Sequence, residues 1–132
     1  MDACDPILVT AGVVIRDGRV LVARRKTGSH LAGLWEFPGG KLEPGESPEE
    51  CLARELREEL GVSVRVGRVL ETIYHRYPQK NVLLLFYACE LGGGEPQALD
   101  VAEVAWVRRE ELSNLDWVPA DVAFVKRLKS KE

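Results

Sequence analysis

The chain has 132 residues, of which 45% are hydrophobic and 30% charged, and its formal net charge is −3. That length and apolar content suit a single domain, residues 1–132, able to bury its own core. The negative balance argues against a protein that holds long nucleic acid by neutralising phosphates, and no apolar run is long enough to span a bilayer.

Residues 7–15 are a β-rich run, and Asp17-Gly18 supplies a turn into residues 19–24, where Val20 and Val22 alternate with Leu21 and Ala23. Ser47, Pro48, Glu49 and Glu50 then read as a helix start. A hydroxyl caps, proline stands where a missing N–H costs nothing, and the third helical position holds a glutamate to close a capping box. Gly61, tolerant of positive φ, ends that helix.

Residues 62–74 have strand character, and residues 81–90 (NVLLLFYACE) are apolar enough to be buried on both faces. Gly92-Gly93-Gly94 reads as a hinge or loop. Residues 101–107 form another strand and residues 109–114 a short helical turn. An amphipathic helix at residues 120–128 follows Pro119. Periodicity alone therefore gives a mixed α/β domain.

Cys4, Cys51 and Cys89 are odd in number, far apart and without a Cys-x-x-Cys pair, which suits a reducing compartment. The segment MDACDPILVT lacks a basic region followed by an apolar stretch, so the expected location is cytoplasmic. Lys126, Arg127, Lys129 and Lys131 form a short basic tail, explained by solvation and favourable charge at a helix C-terminus.

Residues 40–62, GKLEPGESPEECLARELREELGV, carry the chemistry. Gly40, Glu46, Arg54, Glu55, Glu58, Glu59 and Gly61 fall at the spacing Gly-x5-Glu-x7-Arg-Glu-x-x-Glu-Glu-x-Gly, with Leu56 and Val62 at aliphatic sites. At about 5–10% usage per residue type, a chance match at a given start is on the order of 10⁻⁹.

On the helix, Leu52, Ala53, Leu56 and Leu60 share one arc, and Glu55, Glu58 and Glu59 crowd the next. Like charges at i, i+3 and i+4 repel, which calls for a cation. The wheel projects Arg54 and Arg57 away from most of the glutamate arc. Hard oxygen ligands beside Gly39, Gly40 and Gly45 suit Mg²⁺ or Mn²⁺ completed by substrate phosphates, whereas the plain alternative is a solvated glutamate-rich face. Cys51, on the same helix, reads as a small buried hydrophobe rather than a nucleophile.

This segment resembles the Nudix box, the signature of hydrolases that cleave a nucleoside diphosphate linked to another moiety. The wider run LWEFPGGKLEPGESPEECLARELREELGV, residues 34–62, resembles the MutT-type branch that hydrolyses nucleoside triphosphates. The resemblance implies an α/β/α sandwich with a mixed β-sheet between helices, and it covers nearly the whole chain.

It also implies roles. Glu55, Glu58 and Glu59 match metal-binding, catalytic positions, and the Gly39 carbonyl matches a further metal ligand. Glu103 resembles a distal glutamate that approaches the metals from outside the box, although an exposed carboxylate at a strand start reads equally simply. Arg54 reads as structural, pairing with a box carboxylate such as Glu46.

For substrate binding, Arg25 and His30 flank a loop over the phosphates, with His30 either ligand or exposed loop residue. Glu36 and Phe37 lie where MutT-type enzymes contact the sugar. Tyr77 aligns with an aromatic near the base pocket, to stack on a base or to close a hairpin.

Asp121 stands where the archetypal MutT enzyme has a base-contacting asparagine. An ionised aspartate only accepts hydrogen bonds, so it suits the donors of an oxidised guanine or the amine of a cytosine, and a protonated one could also donate. As a first-turn carboxylate it would also simply satisfy the helix dipole. Pro119-Ala120-Asp121 resembles, too, the branch acting on CTP and methylated dCTP.

The implied activity is a Mg²⁺-dependent (Mn²⁺ possible) pyrophosphohydrolase with a small-molecule nucleotide as partner, 8-oxo-dGTP the leading candidate. A CTP or 5-methyl-dCTP hydrolase and a non-catalytic nucleotide-binding module are the alternatives. Neither long nucleic acid nor a membrane is expected as partner, and monomer and homodimer are both compatible with the sequence.

Overall fold

A computed structural model describes residues 5–130, so Cys4 and Lys131 lie outside the described residues. Seven strands form one mixed sheet: β1 (Ile7–Arg16), β2 (Arg19–Arg24), β3 (Trp35–Glu36), β4 (Gly39–Lys41), β5 (Ser63–Arg76), β6 (Asn81–Gly93) and β7 (Glu103–Arg108). The order is β3-β2-β1-β6-β5, with β4 pairing β1 and β7 pairing β2. β1 and β6 run parallel, and the other strand pairs are antiparallel. Asp17 and Gly18, at φ 53° and 75°, make the turn from β1 to β2.

Helix α1 (Pro48–Leu60) starts and stops as its sequence dictates. The Ser47 hydroxyl accepts from the Glu50 N–H, the Glu50 carboxylate accepts from the Ser47 N–H, and Gly61 closes the helix at φ 71°. Helix α2 (Val122–Ser130) follows a 3-10 turn over Pro119–Asp121, and another 3-10 turn spans Arg109–Asn114.

The two helices cover opposite faces of the sheet. Leu52, Leu56 and Leu60 of α1 pack with Val14, Leu21, Val62 and Tyr87, while Phe124, Val125 and Leu128 of α2 pack with Val13, Val20, Leu84 and Phe86. Each buried aliphatic or aromatic side chain contributes about 1.5–3 kcal/mol against leaving it in water, which makes these two layers the main source of stability. This is the expected α/β/α sandwich.

Three features differ from the sequence reading. Gly92 and Gly93 are not a hinge: they continue β6, with Gly93 opposite Ser63, and the chain turns only at Gly94, φ 85°. β3 and β4 were not legible, being two or three residues long and defined by their partners β2 and β1. Arg54 does not turn away from the glutamates, because Glu58 is its i+4 neighbour on the same helix face and Glu55 is the next residue.

Candidate active site

The glycine pair before α1 is where helix and sheet meet. A Cβ on Gly39 would lie 2.0 Å from the carbonyl oxygen of Thr10, and one on Gly40 would lie 2.4 Å from the carboxyl carbon of Glu55. Only glycine permits so close an approach, and it brings backbone polar groups next to the α1 carboxylates. Thr10, buried in β1, donates its hydroxyl to the Gly40 carbonyl at 3.2 Å.

Arg54 organises the box. Its guanidinium donates to Glu46 at 2.5 and 3.1 Å, to Glu55 at 3.1 Å and to Glu58 at 3.2 Å. The Arg54 bond holds the Glu46 carboxyl below the usual carboxylate range, and Arg54 itself is shifted up. Loop and helix are thereby clamped together.

Burial raises both Glu55 and Glu59, Glu59 to about 9 with further repulsion from Glu36 and Glu55. Oε1 of Glu59 is buried and has no hydrogen-bond partner. An orphaned carboxylate oxygen repelled by neighbouring acids is the kind of group whose charge a hard cation would offset. As the side chains stand, no three His, Cys, Asp or Glu among the described residues converge on one ion position. Glu58 is drawn to Arg54, and Glu103, exposed, pairs with Arg24 at 3.3 Å.

Beside this pair opens a cavity of about 340 Å³ lined by Arg25, His30, Glu36, Phe37, Gly39, Tyr77 and Asp121 among others. Arg25 donates to both Glu36 oxygens, at 3.1 and 3.3 Å, and to the His30 carbonyl. Burial still raises Glu36, outweighing Arg25. At the cavity floor, buried Asp121 accepts from the Phe37 N–H at 3.0 Å, and desolvation pushes it up to about 8. The Tyr77 hydroxyl accepts from the Ala120 N–H at 3.3 Å, tying the β5–β6 hairpin to the turn that carries Asp121.

The NUDIX domain family matches residues 6–128. The chain belongs to the Nudix family. Among its relatives is the Mycobacterium tuberculosis (strain ATCC 25618 / H37Rv) protein named "Putative 8-oxo-dGTP diphosphatase 2", 42% identical over 92% of this chain and 86% of the relative. The CTP pyrophosphohydrolase of Escherichia coli (strain K12) is 37% identical over 91% of this chain and 89% of its own length. The crystal structure of MutT protein from Methanosarcina mazei Go1 aligns at TM-score 0.83 and 26% identity, covering 97% of this chain and 96% of that one.

The protein is thus a Nudix hydrolase, a nucleotide pyrophosphohydrolase of a family that generally uses a divalent metal. No described helix of this Nudix protein is long and apolar enough to cross a membrane. Sequence reasoning passed over Thr10, Lys80 and Val118, which also line the cavity. Thr10 had a signal, a lone hydroxyl in the apolar run ILVTAGVVI. Lys80 and Val118 had none, since chain folding alone brings them there.

Proposed function

We propose that this Nudix hydrolase is a Mg²⁺-dependent nucleoside triphosphate pyrophosphohydrolase, cleaving a triphosphate with water to a nucleoside monophosphate and pyrophosphate, with 8-oxo-dGTP as leading substrate. The observation that carries the reading is the buried Asp121 carboxyl at the floor of a cavity whose rim reaches the Gly39 backbone beside Glu55 and Glu59. One end can recognise a base edge while the other is built for phosphates.

Glu55, Glu58 and Glu59, with the Gly39 carbonyl, are the residues that would hold the metal, and Glu103 would join them only after leaving Arg24. When bound, a divalent cation neutralises phosphate oxygens and lowers the pKa of a coordinated water. One of the α1 carboxylates would orient the attacking water and take its proton. Arg25, fixed by Glu36, presents guanidinium donors to phosphate oxygens, and His30 and Tyr77 border the base. No covalent enzyme intermediate is required.

A CTP-type specificity is the second reading. A neutral Asp121 carboxyl can donate to one ring atom and accept from its neighbour, which fits N3 and the N4 amine of cytosine as well as O6 and N1–H of guanine. A relative named CTP pyrophosphohydrolase supports it.

Pyrophosphate release with Mg²⁺ across 8-oxo-dGTP, dGTP, CTP, 5-methyl-dCTP and dUTP tests both readings. A clear kcat/KM preference for 8-oxo-dGTP supports the first, and preference for the cytosine nucleotides replaces it with the second. Binding without release from any of them would make the protein a nucleotide-binding module.

A further inference from the structure

Tyr77 stands at the tip of the β5–β6 hairpin, in a turn closed by two backbone hydrogen bonds with Lys80. Its ring packs against the core on the α2 side of the sheet. Two imidazoles meet it in edge-type contacts, His75 at 4.4 Å and His30 at 6.2 Å between ring centroids. The protein's own side chains thus engage the ring, and the polar end is the part left to a ligand.

That end is held as a donor. Tyr77, Ala120 and Asp121 all line the substrate cavity, and the Tyr77 oxygen accepts from the N–H of Ala120, the residue before Asp121. A phenol has one proton to donate, and among the described residues no acceptor takes it. Burial raises the phenol and the nearby Asp121 carboxyl adds to the rise, so the proton stays in place. Asp121 in turn gives its Oδ2 to the Phe37 N–H, which leaves its other oxygen for a ligand.

We propose that the Tyr77 hydroxyl reads the base together with Asp121, donating to a ring carbonyl, O6 of a guanine or O2 of cytosine. This rests on the nucleotide reading of the cavity and adds to it a residue that acts through its hydroxyl rather than by stacking. A neutral Asp121 covers two neighbouring ring atoms. Guanine carries a carbonyl within that pair, whose oxygen has a second lone pair to offer, and cytosine carries one next to it.

Calorimetric titration of dGMP and CMP into the parent and Tyr77→Phe tests the contact, alongside two analogues: 2-aminopurine deoxyriboside monophosphate, which lacks O6, and 2-thio-CMP, whose sulfur is a poor acceptor. For whichever of dGMP and CMP the parent binds more tightly, Tyr77→Phe should weaken binding roughly tenfold, as for the loss of one buried hydrogen bond. The matching analogue should bind both proteins alike, because the partner of the hydroxyl is already gone. An equal loss with the analogue would mean that the hydroxyl serves only to hold the Ala120 turn, and unchanged binding of the natural base would leave Tyr77 acting as a ring alone. Either result overturns the proposal, as does a parent that binds neither monophosphate. Pyrophosphate release from the triphosphates is read separately. The expected binding pattern with no triphosphate cleaved upholds the Tyr77 contact and overturns triphosphate hydrolysis, whereas cleavage with binding indifferent to Tyr77→Phe does the reverse.

Discussion

The backbone N–H of Phe37 donates to the carboxyl of Asp121 at 3.0 Å, across 84 residues of chain. This bond fixes the carboxyl at the base of the substrate cavity but does not offset its burial, which pushes Asp121 up to about 8. The native state therefore keeps a proton that the unfolded chain releases near its ordinary 3.8. The associated stability is fully present below about pH 4, declines as pH rises, and is gone above about pH 8.

Asp121→Asn has no proton to lose and can still accept from Phe37. Its stability relative to the parent should climb between about pH 4 and pH 8 by at most about 1.4 kcal/mol per unit, then level off. Urea unfolding of both proteins over that range, without metal, measures it. A pH-independent difference would show that Asp121 is ionised throughout.

Glu59→Gln and Glu58→Gln should each lower kcat with Mg²⁺ by about 10²-fold or more, the size seen when a central electrostatic group is lost. The orphaned Oε1 of Glu59 adds a second readout. Mg²⁺ or Mn²⁺ should raise the parent's Tm and raise that of Glu59→Gln less, with EDTA cancelling both shifts. Near-normal turnover in both variants would remove the glutamates from the metal site.

Arg54 bridges Glu46 on the loop to Glu55 and Glu58 on the helix. Lysine keeps the charge but not the fork, so Arg54→Lys should lower Tm and reduce kcat roughly 10–100-fold, as expected for a residue that orients metal ligands. A drop in Tm at undiminished kcat would make Arg54 a structural clamp alone.

Legibility followed the range of the interactions. The cap at Ser47, the stop at Gly61 and the leucine arc of α1 are settled within a few residues, and the sequence displayed them. Turning Arg54 away from the glutamates was a misreading of the wheel, since Arg54 and Glu58 stand at i and i+4, about 40° apart at 100° per residue, and pair directly. The burial of Asp121 and the pairing of Glu103 with Arg24 depend on strands distant in sequence, and no local pattern carries them. β3 and β4 are strands only because β2 and β1 offer edges to them.

The two glycines ahead of α1 should fail differently. At Gly39 an added methyl meets the backbone of Thr10 at 2.0 Å, and backbone in the middle of a paired strand cannot yield, so Gly39→Ala should cost about 3 kcal/mol or more and leave little folded protein. At Gly40 the methyl meets the carboxyl end of Glu55 at 2.4 Å, which can swing aside. Gly40→Ala should therefore fold with a Tm near the parent's while losing kcat and metal response, because the displaced carboxylate is one of those that would hold the ion. Thermal unfolding and pyrophosphate release on both variants separate the cases. An active Gly40→Ala enzyme with an unchanged metal response would mean that Glu55 is not a ligand, whatever its place in the box.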